Sequence, residues 1–263
     1  MHPHHQETVN NTVAHFEKDP KVLALLLTGS IAHGFERSVS DVDILIFLSD
    51  EDHDAHVASG EVCFFSRDLA TYPEGYVDGK YQSAGFLRKV AESGSEPARY
   101  AFAGARVLFN RGIPDLDDLL RRAVQYPDKK EKEARMVRFR AQLEAWNWFT
   151  EEARQKGNKY LVNVAAGKLI LFGGRLILAH NELLYPFHKW FLKVLETAPD
   201  KPAGLMGCIE KLTEDPSAEN VKAFYELVKN FQPWKENPHG WGAQFMGDSE
   251  LNWMSGPTPV DDL

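Results

Sequence analysis

The stretch Leu26-Leu27-Thr28-Gly29-Ser30-Ile31-Ala32-His33-Gly34, running on through Ser40-Asp41-Val42-Asp43-Ile44-Leu45, decides how the rest of the chain is read. Ahead of Gly29 stands Val22-Leu23-Ala24-Leu25-Leu26-Leu27, a continuous apolar run of the kind that forms a strand buried on both faces. Val42 to Leu48 is again apolar and β-branched. Residues two apart on a strand share a face, so Asp41 and Asp43 set two carboxylates side by side. Like charges that close raise each other's proton affinity and sit together comfortably only around a cation. Hard oxygen ligands favour Mg2+ or Mn2+, and Mg2+ is commonly held by one or two carboxylates plus substrate phosphates. Gly29 permits close backbone approach, and Ser30 heads a segment whose free N–H groups can meet phosphate oxygens. Neither Asp-x-Asp nor Gly-Ser says much alone. Together, at this spacing between two apolar runs, they place a phosphate site opposite a metal site across one sheet edge, which implies phosphoryl or nucleotidyl transfer.

Outward from this stretch, the first third reads as an α/β unit. His4 to Asp19 is an opening helix ended by Pro20, Gly60 to Ser66 and Gly75 to Tyr81 are short strands, Ala84 to Ser93 is a helix, and Ala105 to Asn110 returns to the sheet. Beyond about Asp115 the texture becomes helical. Met136, Phe139, Leu143, Trp146, Phe149 and Ala153 recur at steps of three or four within Asp128 to Gln155, marking a long amphipathic helix. Lys159 to His180 is apolar nearly all round, the pattern of a central bundle helix, and Tyr185 to Thr197, Gly204 to Thr213 and Ser217 to Phe231 follow. A tail from Gln232 carries Trp234, Trp241 and Trp253, aromatics expected to pack back on the body. Two domains are therefore expected, 1–114 and 115–263.

Composition narrows the function classes. Thirty Lys plus Arg stand against 38 Asp plus Glu, a net charge of -8, which argues against a dedicated nucleic-acid binder. Two cysteines, Cys63 and Cys208, are too few for a disulfide framework or a thiolate zinc site, in keeping with a cytoplasmic chain. Lys168, Gly173, Gly174 and Arg175 interrupt the most apolar region, so it reads as a buried helix and no membrane partner is expected. Met1-His2-Pro3-His4-His5 could chelate a stray divalent metal but reads better as a floppy terminus, and His53 and His56 read as solvated in an acidic loop. No Walker loop, Gly-x-Gly-x-x-Gly, His-Glu-x-x-His or serine elbow occurs.

The apolar strand, Gly29-Ser30, the gap, and Asp41-x-Asp43 on the next strand resemble the signature of the polymerase-beta-type nucleotidyltransferase superfamily. Gly29-Ser30-x-Ala32-x-Gly34 with Arg37 before Ser40-Asp41-x-Asp43 is similar to its minimal and antibiotic-modifying branches. An α/β head followed by helices is similar to the aminoglycoside and lincosamide nucleotidyltransferases. The resemblance implies an α+β fold: a nucleotidyltransferase-type mixed sheet with flanking helices, then an all-α helical bundle. It implies a Mg2+- or Mn2+-dependent enzyme that moves a nucleoside monophosphate from ATP or another nucleoside triphosphate to a hydroxyl of a small-molecule acceptor, with Asp41 and Asp43 on the metal and Gly29, Ser30 and Arg37 near the phosphates. It also implies a third carboxylate on a later strand, completing the metal site or serving as general base. Glu61, Asp68, Glu74 and Asp78 are the candidates. Asp78 is preferred for its place after Tyr76-Val77, with Glu61 next, although Gly79 weakens the strand.

Two groups in the helical half are further candidates. Lys168 and Arg175 lie seven apart, nearly on one face, and buried cations need anionic partners. A triphosphate is one such partner, as the resemblance also implies; Glu or solvent is the other. The stretch His180 to Trp190, with Asn181, Tyr185, His188 and Lys189, is either a contact surface for acceptor or nucleotide or a helix-packing corner. Two alternatives to small-molecule transfer stay open at this point: a protein-AMPylating enzyme, and a nucleotide-binding regulator that has lost transfer. Acceptor, nucleobase and oligomeric state are not legible.

Overall fold

The structure is a computed structural model that describes residues 1–256, so the end of the expected second domain lies outside the described residues. The chain divides into two compact units, the first Met1–Gln125 and the second beginning at Tyr126.

The first unit runs α1 (Pro3–Phe16), β1 (Ala24–Leu27), α2 (Gly29–His33), β2 (Val42–Leu48), α3 (Asp50–Ser59), β3 (Cys63–Ser66), β4 (Val77–Ser83), α4 (Ala84–Ser93), α5 (Glu96–Tyr100), β5 (Arg106–Asn110) and α6 (Leu116–Ala123). Its five strands form one mixed sheet in the order β3-β4-β2-β1-β5. β2 is antiparallel to β1, with Leu27 opposite Ile44, and parallel to β4, with Asp43 opposite Asp78. Alternation sorts the side chains. Leu25, Leu27, Ile44, Ile46 and Val77 meet Val9 and Phe16 of α1 on one face. Leu26, Leu45 and Phe47 meet Leu87 and Val90 of α4 and Leu116 and Leu119 of α6 on the other. The fold is thus α+β, with helices on both faces of a mixed sheet and an all-helical unit behind it in sequence.

Several expectations need correcting. The segment 115–125, assigned to the helical half, belongs to the first unit because α6 fills the core beside α4. The acidic stretch after β2 is a helix, not a loop: the Ser49 hydroxyl accepts from the Asp52 N–H at 3.1 Å, and three acids occupy the first turn, where the helix dipole favours them. His56 stacks on Tyr81 there, 4.2 Å between centroids. The N-terminus is not floppy. α1 begins at Pro3, His5 is fully buried, and Nε2 of His4 lies 2.9 Å from the Ser38 carbonyl.

The second unit contains α7 (Lys129–Gln155), α8 (Lys159–His180), α9 (Phe191–Glu196), α10 (Leu205–Glu214), α11 (Ala218–Lys229) and α12 (Trp241–Phe245). α8 is long and apolar enough to cross a membrane, and 44% of its most apolar window is buried within the chain. It is therefore half covered rather than enclosed, with Tyr160, Asn163 and Gly167 exposed. Of the tail tryptophans, Trp234 is buried and donates its indole N–H to the Val228 carbonyl at 2.8 Å. Trp253 stays largely exposed and Trp241 partly so, contrary to expectation.

Candidate active site

The candidate site is built where the β1–α2 turn meets the start of β2. The Thr28 N–H donates to the Asp43 carbonyl at 2.9 Å, pinning the turn to the strand. Gly29 adopts φ +63°, and a Cβ at that position would lie 1.8 Å from Oδ2 of Asp43 and 2.4 Å from its Cγ. Only glycine lets the backbone come down on the carboxylate this closely. Ser30 follows with 5% of its surface exposed, and its Oγ has no hydrogen-bond partner, an arrangement that costs stability unless a ligand completes it. Thr28 makes no side-chain capping bond to α2, so the first-turn N–H groups lack that usual acceptor.

The carboxylates gather at this turn. Asp43 and Asp78 are register partners on β2 and β4, so their side chains leave the same face. Asp41, two residues before Asp43, comes from the segment leading into β2. All three are partly exposed. Tyr76 senses them together. Its phenol is held above the ordinary tyrosine range first by its hydrogen bond to Asp41, then by the Asp41 charge and burial, and then by the charges of Asp78 and Asp43. Tyr72 reinforces the approach to Asp41 by donating its hydroxyl to the Ser40 carbonyl at 2.5 Å.

The other candidates for the third carboxylate lie elsewhere. Cys63 pairs with Lys80, and the Tyr81 N–H donates to the Val62 carbonyl at 3.1 Å, so Glu61 sits toward the opposite end of β4 from Asp78. Asp68 and Glu74 are exposed residues outside the strands. Gly79, expected to weaken β4, sits where space is tight: a Cβ would meet Ile44 at 3.0 Å, Ile46 at 3.1 Å and Phe64 at 3.2 Å, so those side chains would have to give by a few tenths of an ångström. Arg37 is exposed in the α2–β2 loop, with its backbone N–H on the Ser40 hydroxyl at 2.9 Å.

At the C-terminal end of α2, His33 stacks on Tyr100 at 4.7 Å and on Phe35 at 5.7 Å. Burial lowers the His33 pKa and pushes the Tyr100 phenol up to about 12. Both groups are therefore neutral near pH 7.

The remaining candidates belong to the second unit. Arg175 lies between two aromatic faces, 4.4 Å from the Phe139 centroid and 4.3 Å from that of Tyr185. Lys168 is half-buried on α8. The Asn181 side chain donates to the Ile177 and Asp200 carbonyls at 2.8 and 2.7 Å and accepts from the Asp200 N–H at 2.9 Å, so it ties a corner together. His188 lines a groove of about 410 Å3 with Asn163, Gly167, Leu171, Phe191 and Leu212. Lys189 is exposed, its Nζ 5.4 Å from the Trp190 centroid.

Sequence reasoning passed over Tyr72 and Tyr76. For Tyr76 a signal existed, since it stands two before Asp78 and so on the same strand face. For Tyr72 there was none, because its partner Ser40 is 32 positions away.

The chain is similar in structure to a crystallised nucleotidyltransferase-like protein from Exiguobacterium sibiricum 255-15, at 12% identity and a TM-score of 0.46, over 98% of this chain and 83% of that one. No protein-family model and no curated protein sequence matches it.

Proposed function

We propose that the first unit is the catalytic core of a Mg2+-dependent nucleotidyltransferase that moves a nucleoside monophosphate, AMP from ATP in the first instance, to a hydroxyl of a small-molecule acceptor. The observation that carries this reading is the seating of Gly29 on the Asp43 carboxylate with Asp78 beside it in register. A close backbone approach and a pair of facing carboxylates are thereby brought together where the β1–α2 turn meets β2 and β4.

The donor set fits a hard divalent cation: oxygen-only, on a rigid strand pair, beside a buried serine hydroxyl that lacks a partner. Among the described residues no three ligating groups already converge on one ion position. Mg2+ does not require that, since it keeps waters and phosphate oxygens in its shell. When bound, the ion neutralises charge on the reacting phosphate. Asp41 and Asp43 would hold it, and Tyr76 orients Asp41 through its hydroxyl. Ser30 and the first-turn N–H groups would take the terminal phosphates. Asp78 would accept the acceptor's hydroxyl proton or share the metal. This work is positioning and charge neutralisation, as in other phosphate chemistry.

Isothermal titration with ATP and GTP, with and without Mg2+, tests the reading on the wild-type chain and on Asp41→Asn/Asp43→Asn. Mg2+-dependent binding that the variant loses is expected, followed by pyrophosphate release once an acceptor is supplied. Absence of binding to the wild type at millimolar nucleotide overturns it. Binding without release across an acceptor screen points instead to the regulatory alternative, and labelling of a polypeptide by ATP to protein AMPylation.

A further inference from the structure

The sheet face that carries the carboxylates continues past them to an open edge of different chemistry. β3 is the last strand on that side of the sheet. Phe65 on β3 is the register partner of Asp78 on β4, and Asp78 is that of Asp43 on β2. One rung therefore sets an aromatic ring and two carboxylates on the same face. Tyr76, two residues before Asp78, shares that face; its hydroxyl bonds to Asp41, and its ring lies 5.2 Å from the Phe65 ring between centroids. The neighbouring Phe64 packs on the core beneath α1, whereas Phe65 keeps 59% of its surface exposed. Two cations flank it. Arg67, just past β3, has its guanidinium 6.0 Å from the Phe65 centroid. Lys80 stands two residues beyond Asp78, opposite Cys63, and so on the same face. Both are exposed, and among the described residues neither has a carboxylate partner.

We propose that this edge is the acceptor subsite of the transfer described above, a reading on which the inference rests, and that it takes an alcohol bearing a flat apolar ring and an anionic group, carboxylate or phosphate. The ring would lie on the open face of Phe65. Its hydroxyl would reach inward by one strand spacing, about 4.7–4.9 Å, to Asp78. There the hydroxyl oxygen would bond to the α-phosphorus, its proton passing to Asp78 and pyrophosphate leaving. The anionic group would point outward to Arg67 and Lys80, which match it in charge and hydrogen-bonding donors, and away from the carboxylates that repel it. A polycationic acceptor would meet the same two cations as a barrier. The rival account is an idle aromatic on an edge strand, since singly exposed apolar residues are ordinary.

The test uses three ring alcohols that differ in their para group: para-(hydroxymethyl)benzoate, benzyl alcohol and para-(aminomethyl)benzyl alcohol. Each is titrated into the full chain with Mg2+ and a non-hydrolysable ATP analogue, and binding is read by saturation-transfer NMR. The benzoate is expected to bind most tightly and the amine most weakly. Phe65→Ala should weaken the benzoate by about fivefold, and Phe65→Tyr, which keeps the ring, should retain it. Arg67→Gln should weaken the benzoate by about fivefold and leave benzyl alcohol as it was. Both side chains are exposed, so the variants should fold, and thermal melts check this. The proposal is overturned by any of three results: no probe on the wild type, an amine that binds as tightly as the benzoate, or equal benzoate affinity in either Phe65→Ala or Arg67→Gln. A Mg2+–ATP titration of the wild type runs alongside. A chain that takes nucleotide but gives one of those results loses only the acceptor assignment, whereas one that takes no nucleotide loses the transfer reading and this inference with it.

Discussion

Gly29→Ala is the sharpest perturbation of the candidate site. An alanine at φ +63° carries the left-handed penalty of about 1–2 kcal/mol. Its Cβ would also stand 1.8 Å from Oδ2, 2.4 Å from Cγ and 2.6 Å from Cβ of Asp43, far inside the roughly 3.5–4.0 Å at which carbon atoms rest. Turning the carboxylate aside costs about 0.5–1.5 kcal/mol and still leaves the two Cβ atoms too close, so the turn itself must lift off β2. Gly34→Ala is the matched control: φ is +70°, and a Cβ there meets nothing within 4 Å. It should show the left-handed penalty alone. Thermal melts of both variants, with Mg2+–ATP titrations alongside, read the difference. Gly29→Ala should be less stable than Gly34→Ala by at least about 1 kcal/mol and should lose Mg2+-dependent nucleotide binding, whereas Gly34→Ala keeps it. Equal melting temperatures with binding intact in both would refute the claim that Gly29 is there to meet Asp43.

Asp78→Asn removes one of two facing charges, worth up to about 1 kcal/mol at water-like screening. In chelator it should melt at or above the wild-type temperature while losing the stabilisation that Mg2+ gives the wild type, as read by paired melts. His33 has a folded pKa below its unfolded value of 6.5, so the unfolded chain takes the proton first and stability falls as pH drops through about 6.5. His33→Phe keeps the ring stack and should flatten that fall, measured by urea midpoints at about pH 7.5 and about pH 5. Arg99 is buried and donates to the carbonyls of Gly94 at 2.9 Å, Ala123 at 3.2 Å and Ala91 at 3.3 Å. Arg99→Met should cost about 2–3 kcal/mol by urea denaturation, because those carbonyls lose their donor.

What could be read from sequence was what repeats locally. Two apolar runs flanking Gly-Ser and Asp-x-Asp located β1 and β2, and the three-to-four spacing from Met136 to Ala153 located α7. Asp78 was placed on a strand from its neighbours alone, although its pairing with Asp43 depends on a register no local pattern displays. α3 was missed despite a legible signal, Ser49 ahead of three acids. α6 was found helical in character but given to the wrong unit, since its partners Leu87 and Val90 precede it by about thirty residues. His4 and His5 read as part of a floppy terminus because Tyr72, which covers them, is more than sixty positions distant.

The central place of β2 also orders the chain's assembly in time. Its antiparallel pairing with β1 joins Leu27 to Ile44, 17 positions apart, whereas its parallel pairing with β4 joins Val42 to Val77, 35 positions apart. Closing the second loop costs about 0.6 kcal/mol more in chain entropy for that doubling, and parallel pairing is slower to form. Gly29 and Asp43 are therefore expected to come together with the β1–β2 pairing before Asp78 joins. A nascent or partly denatured chain would already possess the glycine-lined turn while still lacking its third acid, and full acidity would arrive only with the β2–β4 pairing.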